Sequence, residues 1–394
     1  MPLDSLREIY TCYDCLHFNE SFEGVHIVRA LKVILKFALC AVVLAGLVLA
    51  GYVIYLESTY YRIDDNQVLE VSNNASDLVK TGKAYTAVTY NIGFGAYTAD
   101  YDFFMDEGEM NDGTKTVGTH AKAVSQESAQ NATNGSIALV QGLEADFVLM
   151  QEVDTDSDRS WHVNQKQQII DALQGKGSTY AVNLHSANLF YPLNDPIGVM
   201  NSGILTLSDC QISSSTRRSY PIATAFPTKL FDLDRCFDVV RLPVEGSDKE
   251  LVLINSHMSA YDEGGYYRTQ QLQLIFSVMK EEADKGNWVI AGGDWNHALC
   301  DSSGMYASQQ KEPSWLMKLD DSELPEGFSV IRAGNIEEVA TCRGADMPYE
   351  EGVTYRATID GFFVSSNVTA TAENIDAGFA YSDHNPVKLT FSLN

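Results

Sequence analysis

WVIAGGDWN, at residues 288–296, is the stretch from which the rest of the chain can be understood. Its apolar half is long enough for a buried β-strand and too short for a helix. The two glycines permit a sharp turn beyond the sheet edge, so we expect Asp294 and Asn296 to project from the same rim. A carboxylate and a carboxamide at this spacing suit a chemistry that holds a water molecule beside a phosphoryl oxygen. Since Asp and Asn are also common turn residues, this interpretation depends on the remaining strand ends.

Polar side chains mark the ends of other predicted strands as well. Strands are expected at residues 85–90, 146–151, 202–207, 237–242, 251–255, 359–365 and 387–393. Three polar residues follow such strands at their C-terminal ends: Asn91, Glu152 and His257. Others begin strands, namely Asp360 and the pair Asp383-His384. In a mixed sheet, opposite ends of oppositely directed strands share one edge, so one rim can carry all of these groups.

Each of these residues also has a purely structural explanation. Glu152 can be a solvated strand end, and His257 a half-buried histidine with its hydrogen bonds satisfied. Asp360 can be a loop carboxylate, and SDHNP at residues 382–386 can be a turn whose proline fixes the strand entry. A rim without a function would require all of these structural explanations to be true at once. The combination of residues therefore favours a functional site.

The acidic balance of the chain limits its partners. The 394 residues carry a formal net charge of -26, which disfavours a long nucleic-acid footprint built from Lys and Arg. Phosphate chemistry remains compatible with this charge, because a bound cation can supply the missing positive charge.

An apolar segment precedes the region of mixed helix and strand. FALCAVVLAGLVLAGYVIYL, residues 37–56, is long enough to cross a bilayer as a helix. Basic residues precede it and acidic residues follow, which predicts a cytoplasmic segment 1–36 and an extracellular C-terminal part. A cleaved signal peptide and a buried helix are the alternatives. We expect residues 57–84 to form a flexible stalk and residues 85–394 a single catalytic domain.

Within that domain, helices are predicted at residues 128–143, 164–173 and 269–282, and the acidic insertion 100–118 is expected to be a loop. The cysteines leave several possibilities open. Cys12 and Cys15 resemble half of a zinc knuckle, but a second cysteine pair is absent, which favours free thiols without a metal. Cys210, Cys236, Cys300 and Cys342 can form two disulfides in one of three pairings, or remain free thiols.

Taken in order, the motifs resemble those of the endonuclease/exonuclease/phosphatase superfamily, which includes DNase I-like nucleases, inositol polyphosphate 5-phosphatases and neutral sphingomyelinases. The resemblance is carried by Tyr90-Asn91, Gln151-Glu152-Val153, Asn255-Ser256-His257, Gly293-Asp294-Trp295-Asn296, Ile359-Asp360-Gly361-Phe362-Phe363 and Ser382-Asp383-His384-Asn385-Pro386. Arg268 and Gln271 also look like family features, of a structural kind. The resemblance implies an α/β fold, a four-layer sandwich of two mixed β-sheets flanked by helices.

The resemblance also implies a role for each motif residue. Glu152 would be the principal ligand of Mg²⁺ or Mn²⁺, with Asn91 and Asp383 close to the metal. Asp294 would orient or deprotonate the attacking water, and Asn296 would hold a phosphate oxygen or the nucleophile. His257 and His384 would contact the scissile phosphate, with Asp360 fixing the tautomer of His384. Carboxylate and carboxamide oxygens suit these hard cations better than Zn²⁺.

Together these features predict a membrane-anchored, Mg²⁺-dependent phosphoesterase that hydrolyses a phosphodiester or phosphomonoester. Its expected substrate is a small phosphodiester or a lipid head group, because tethering raises encounters with lipids and the acidic surface disfavours polyanions. A nuclease acting on DNA or RNA is the alternative substrate class. A catalytically inactive binding module on the same fold is the alternative from another functional class. No Gly-x-Ser-x-Gly elbow, Walker motif or dinucleotide glycine pattern occurs.

Overall fold

The computed structural model describes residues 5–230, 232–260 and 262–394, with side chains from residue 26 onward except that of Glu263. The chain divides at Thr59 into an N-terminal helix and a folded unit that begins at Tyr60. The cysteine pair Cys12 and Cys15 lies outside the residues whose side chains are described.

The N-terminal helix, α1, spans Ser5–Thr59 and includes the predicted apolar segment 37–56. Its part from His26 to Thr59 is long and apolar enough to cross a membrane, and none of its most apolar window is buried. A buried core helix of a soluble protein is therefore the poorest of the three interpretations. Length and composition fit an uncleaved anchor and a signal sequence equally well.

Over its described residues, the folded unit contains three further α-helices and thirteen strands in its two large sheets. The helices are α2 (Gln126–Gly142), α3 (Gln165–Ala172) and α4 (Tyr266–Asp284). The strands are β1 (Gln67–Val68), β2 (Tyr85–Asn91), β3 (Phe147–Asp154), β4 (Gly177–His185), β5 (Asn201–Ser208), β6 (Ser214–Ser219), β7 (Cys236–Pro243), β8 (Glu250–His257), β9 (Trp288–Asp294), β10 (Phe328–Ile331), β11 (Asp360–Ser365), β12 (Val368–Asn374) and β13 (Val387–Leu393).

Each large sheet is mixed and has one parallel pair near its centre. The seven-stranded sheet has the order β1-β6-β7-β8-β9-β11-β10, with β8 and β9 parallel. The six-stranded sheet has the order β12-β13-β2-β3-β5-β4, with β2 and β3 parallel. The remaining neighbours in both sheets are antiparallel.

The two sheets pack face to face, and helices cover their outer faces. Phe147 and Leu389 of the six-stranded sheet share one buried cluster with Leu253 and Ile290 of the seven-stranded sheet. The α4 helix packs on the outer face of the seven-stranded sheet through a separate apolar cluster. The α2 and α3 helices cover the six-stranded sheet in the same way. The predicted four-layer α/β architecture is therefore confirmed.

Close packing, rather than a turn, accounts for the two glycines of the opening stretch. The β9 strand runs through both of them to Asp294. A Cβ atom at Gly292 would lie 2.4 Å from the Phe362 ring, and one at Gly293 would lie 2.0 Å from the carbonyl oxygen of Ser256. The predicted sharp turn at this point is therefore wrong, although the rim position of Asp294 is retained.

The predicted stalk is also wrong for the residues from Tyr60 onward. The β1 strand pairs with β6, and Ser72 bridges to Ser178 at the end of the other sheet. Val79 is fully buried in the cluster between the sheets. Apolar residues spaced through a mostly polar segment are enough to dock it, so the folded unit begins well before residue 85.

Other differences are smaller. The insertion at 100–118 is not wholly a loop, because Glu107–Glu109 and Lys115–Val117 form a short hairpin. Met110 in this hairpin bridges to Gln310, so the insertion is fixed to the domain. Cys210, Cys236, Cys300 and Cys342 are free thiols rather than disulfides.

Candidate active site

Strand register brings three of the predicted residues side by side. His257 at the end of β8 is aligned with Asp294 at the end of β9, because these two strands are parallel. Asp294 is aligned in turn with Asp360 at the start of β11, because that pair is antiparallel. The expectation that strand ends and strand starts share one edge therefore holds in this sheet.

The other sheet brings its own polar residues to the same place. The Nδ2 group of Asn91 donates a hydrogen bond of 3.0 Å to Oδ2 of Asp294. The His257 Nε2 atom lies 3.6 Å from a carboxylate oxygen of Glu152 and 3.6 Å from Oδ2 of Asp294. His384 Nε2 lies 3.8 Å from the same Asp294 oxygen. The two sheets thus converge on one carboxylate.

The Asp294 carboxylate is held rigidly. Its Oδ1 atom accepts a 2.9 Å hydrogen bond from the backbone N–H of Asn296, while Oδ2 accepts from Asn91. The Asn296 side chain donates to the carbonyl oxygen of Met258 at 2.8 Å, so its amide nitrogen is already engaged. In this structure Asn296 therefore orients Asp294 through its backbone N–H group.

His384 forms a hydrogen-bonded pair with Asp360. Its Nδ1 atom lies 2.9 Å from Oδ2 of Asp360, which leaves Nε2 facing Asp294. Burial alone would lower the pKa of His384, but the surrounding carboxylates, Asp360 foremost, hold that pKa well above its usual value. Ser382, a motif residue for which no role was predicted, donates to the Asn91 carbonyl at 2.8 Å and accepts from the His384 N–H at 3.1 Å.

The environment of His257 shifts its pKa in the direction opposite to that of His384. Burial and the positive charge of Arg235 lower its pKa well below the usual value. The contact with Arg235 is direct, at 2.6 Å between a guanidinium nitrogen and Nε2. Arg235 was also missed from the sequence, where its one signal is a basic residue immediately before the apolar strand β7.

Glu152 lies at an irregular point of β3. Its φ of 57° is in the left-handed region, within a register shift between Met150 and Val153 that turns the side chain out of the regular ladder. Burial, followed by the nearby charge of Asp383, raises the pKa of Glu152 to about 8. Burial likewise raises the pKa of Asp383.

The residues present fit a divalent cation. Glu152 and Asp383 are half-buried carboxyl groups whose pKa values are both raised, that of Glu152 in part by the charge of Asp383, and together they form an oxygen-rich site that a cation would neutralise. Potential ligand atoms of Asp294, Asp360 and His384 also lie within 4.8 Å of one another. The hydrogen bond from His384 to Asp360 already accounts for part of that second cluster. The set Asn91, Glu152 and Asp383 stays a prediction.

A cavity of about 930 Å³ opens onto these groups and is lined by Glu152, His257, Asp294, Asn296, Asp383 and His384. Its walls carry many aromatic side chains, among them Phe94, Tyr97, Phe103, Phe104, Trp315 and Tyr355. The hairpin of the 100–118 insertion forms part of one wall. Arg268 lies behind the site, where it donates to the Trp315 carbonyl at 2.6 Å, and Gln271 binds Ser259, so both have the structural roles expected of them.

Comparisons with known proteins agree with this geometry. The model of the Endonuclease/Exonuclease/phosphatase family matches residues 88–384. The comparison with curated proteins gives no significant match.

Solved structures add similarities of fold. The endonuclease/exonuclease/phosphatase from Beutenbergia cavernae DSM 12333 has a TM-score of 0.51 at 14% identity, covering 79% of this chain and 72% of that one. Truncated Caenorhabditis elegans TDP2 gives 0.47 at 16% identity over 80% of this chain and 100% of that one. D. rerio TDP2 complexed with a single-strand DNA product gives 0.49 at 16% identity over 79% and 99%.

The first of these similarities supports the fold, and the family match supports the chemistry, since it spans the strand ends from Asn91 to His384. The chain therefore belongs to the endonuclease/exonuclease/phosphatase family and is a phosphoric ester hydrolase.

Proposed function

We propose that the chain is a membrane-anchored, extracytoplasmic phosphodiesterase that requires Mg²⁺ or Mn²⁺. The observation that carries this proposal is the convergence on Asp294 of Asn91 from one sheet, His257 from the other sheet and His384 from the segment before β13. In the proposed arrangement, residues 1–36 are cytoplasmic, residues 37–56 cross the membrane and the unit from Tyr60 onward is catalytic.

Each side chain then has a chemical task. Asp294, held at both oxygens, orients the attacking water and accepts its proton. His384, protonated and oriented by Asp360, donates to an oxygen of the scissile phosphate. Glu152 and Asp383, with Asn91 beside them, would hold the cation. When bound, that cation supplies charge neutralisation at the phosphoryl oxygen.

The cavity favours a small phosphodiester or a lipid head group as substrate. Its aromatic walls offer apolar contact to a substrate of limited size, and the chain's charge of -26 repels long polyanions. An anchor would also raise the rate of encounter with lipids in the same membrane. A nuclease is the competing substrate class.

A hydrolysis screen tests the proposal directly. The purified full chain is incubated with bis(4-nitrophenyl) phosphate, sphingomyelin, phosphoinositides, nucleotides, DNA and RNA. We expect Mg²⁺- or Mn²⁺-dependent release of product from a small or lipid phosphodiester, which EDTA abolishes and added Mg²⁺ restores.

The screen separates the alternatives. Hydrolysis of DNA or RNA alone would show a nuclease and overturn the substrate assignment. Absence of turnover on every class, in a protein whose thermal unfolding is cooperative, would support the inactive binding module.

The membrane arrangement has its own test. We expect protease added to intact spheroplasts to remove a C-terminal epitope tag, while a cytoplasmic marker protein stays intact. Mass spectrometry of the membrane-bound chain should find residues 1–36 still attached. Protection of the tag until lysis would place the catalytic unit inside the cell, and loss of the apolar segment would show a cleaved signal peptide.

A further inference from the structure

Arg235 is a buried cation that lines the cavity and that the predicted site does not include. It is 5% exposed and lies immediately before β7, whose first residue is aligned with His257. One guanidinium nitrogen, Nη1, is 2.6 Å from Nε2 of His257, and the side chain lines the cavity beside Glu152 and Asp294.

Other buried arginines in the folded unit donate hydrogen bonds to several oxygen atoms. Arg159 makes a bidentate pair with Asp154, at 3.1 and 2.8 Å. Arg217 donates to three carbonyl oxygens and a hydroxyl, and Arg343 donates to a series of loop carbonyls.

Arg235 differs from these residues in its partners. Among the described residues, no oxygen atom accepts a hydrogen bond from its guanidinium group, and its Nε atom, like that of Arg343, is buried without a hydrogen-bond partner. The carboxylate of Asp232 lies within ion-pair distance of Arg235, with 3.6 Å between its Oδ1 atom and Nε. The Asp232 side chain is partly exposed to solvent. A guanidinium cannot lose its proton in a protein, so this desolvated charge is incompletely compensated. Its planar set of donors suits a phosphate group.

The contact with His257 also fixes which atom donates. Arginine has no acceptor, so Nε2 of His257 must be the acceptor and its proton must be on Nδ1. In this arrangement Nε2 cannot donate a hydrogen bond to a phosphate oxygen. The role that the resemblance implies for His257 is therefore not the one that its contacts favour.

We propose that Arg235 binds a non-bridging oxygen of the substrate phosphate, and that His257 positions Arg235 rather than contacting the phosphate itself. The assignment rests on the proposed phosphodiesterase function. It adds a protein cation, facing the cavity, to the groups that stabilise charge developing on the phosphate.

Binding of inorganic phosphate to the Mg²⁺-loaded full chain, measured by calorimetry, tests this without turnover. We expect Arg235→Met to weaken phosphate binding about 10- to 100-fold, with partial recovery in Arg235→Lys. Arg218→Met is the matched control, because Arg218 pairs with Asp65 in the same sheet and its loss changes the net charge equally. This control should bind phosphate as the wild type does. Equal affinity in Arg235→Met and wild type would overturn the proposal.

A double-mutant cycle with His257→Ala tests the positioning role. If His257 acts through Arg235, His257→Ala weakens phosphate binding in the wild-type background and adds almost nothing to Arg235→Met. Additive losses would show that His257 contacts the phosphate independently.

Turnover gives a second readout on aryl phosphodiesters with leaving groups of different basicity. Contact with a non-bridging oxygen predicts that Arg235→Met lowers kcat/KM about 10²- to 10³-fold for every leaving group. A loss that grows with leaving-group basicity would place Arg235 at the leaving group instead. If the wild type hydrolyses none of these esters, the phosphodiesterase function fails, while the phosphate titration still decides whether Arg235 binds an anion.

Discussion

Replacing Asp294 with asparagine is expected to lower kcat about 10²- to 10⁴-fold, the range that a positioned general base contributes. The substitution keeps the shape of the side chain and removes the charge that would accept the proton of the water. Single-turnover rates on the phosphodiester found in the screen provide the measurement. Full activity in Asp294→Asn would show that Asp294 is not the water-activating group.

The same substitution has a structural effect that must be separated from the chemical one. Both oxygens of Asp294 accept hydrogen bonds, so an amide at residue 294 places one N–H group against a donor, that of Asn91 or the Asn296 backbone. A buried donor that faces another donor instead of an acceptor lowers the free energy of unfolding by about 1–3 kcal/mol. The double variant Asn91→Asp/Asp294→Asn restores a donor opposite an acceptor. We expect it to recover thermal stability without recovering activity, whereas a return of activity with stability would make the role of Asp294 structural.

The candidate site was predictable because it lies at the ends of regular elements. Alternation and apolar runs located β2, β3, β8, β9, β11 and β13 to within a few residues. In an antiparallel pair, the start of one strand lies at the same sheet edge as the end of its neighbour. This rule placed Asp360 beside Asp294. The family motifs added the roles, which the contacts at Asp294 and His384 now make specific.

What the sequence did not indicate depends on contacts between distant segments. The β6 strand, SSTRRS at Ser214–Ser219, has no apolar alternation and is a strand because β7 and β1 pair with it. The segment from Tyr60 to residue 84 is polar on average, and only a few apolar residues dock it. Arg235 is 22 residues from His257 along the chain, and their contact arises from the antiparallel pairing of β7 with β8.

Replacing Glu152 with glutamine is expected to weaken binding of Mn²⁺ or Mg²⁺ by more than about 10²-fold, since even indirect partners of metal ligands contribute 10- to 100-fold. Glutamine keeps the size of the side chain and one oxygen but removes the charge that would hold the cation. It also removes the repulsion from Asp383 that raises the pKa of Glu152, so the cation-free variant should unfold at the same temperature as the wild type or higher.

In Glu152→Gln the affinity for the cation should therefore fall, while the stability of the cation-free chain stays the same or rises. Calorimetric titration with Mn²⁺ should lose its high-affinity phase, and thermal unfolding should lose the stabilisation that saturating cation gives the wild type. Glu127→Gln, which removes an exposed carboxylate from the first turn of α2, is the matched control and should retain both. Because a merely structural carboxylate would destabilise the cation-free chain on removal, lower stability together with unchanged Mn²⁺ affinity would exclude Glu152 as the ligand. The cation would then have to be held elsewhere in the cavity, with the cluster of Asp294, Asp360 and His384 as the remaining set of close ligand atoms among the described residues.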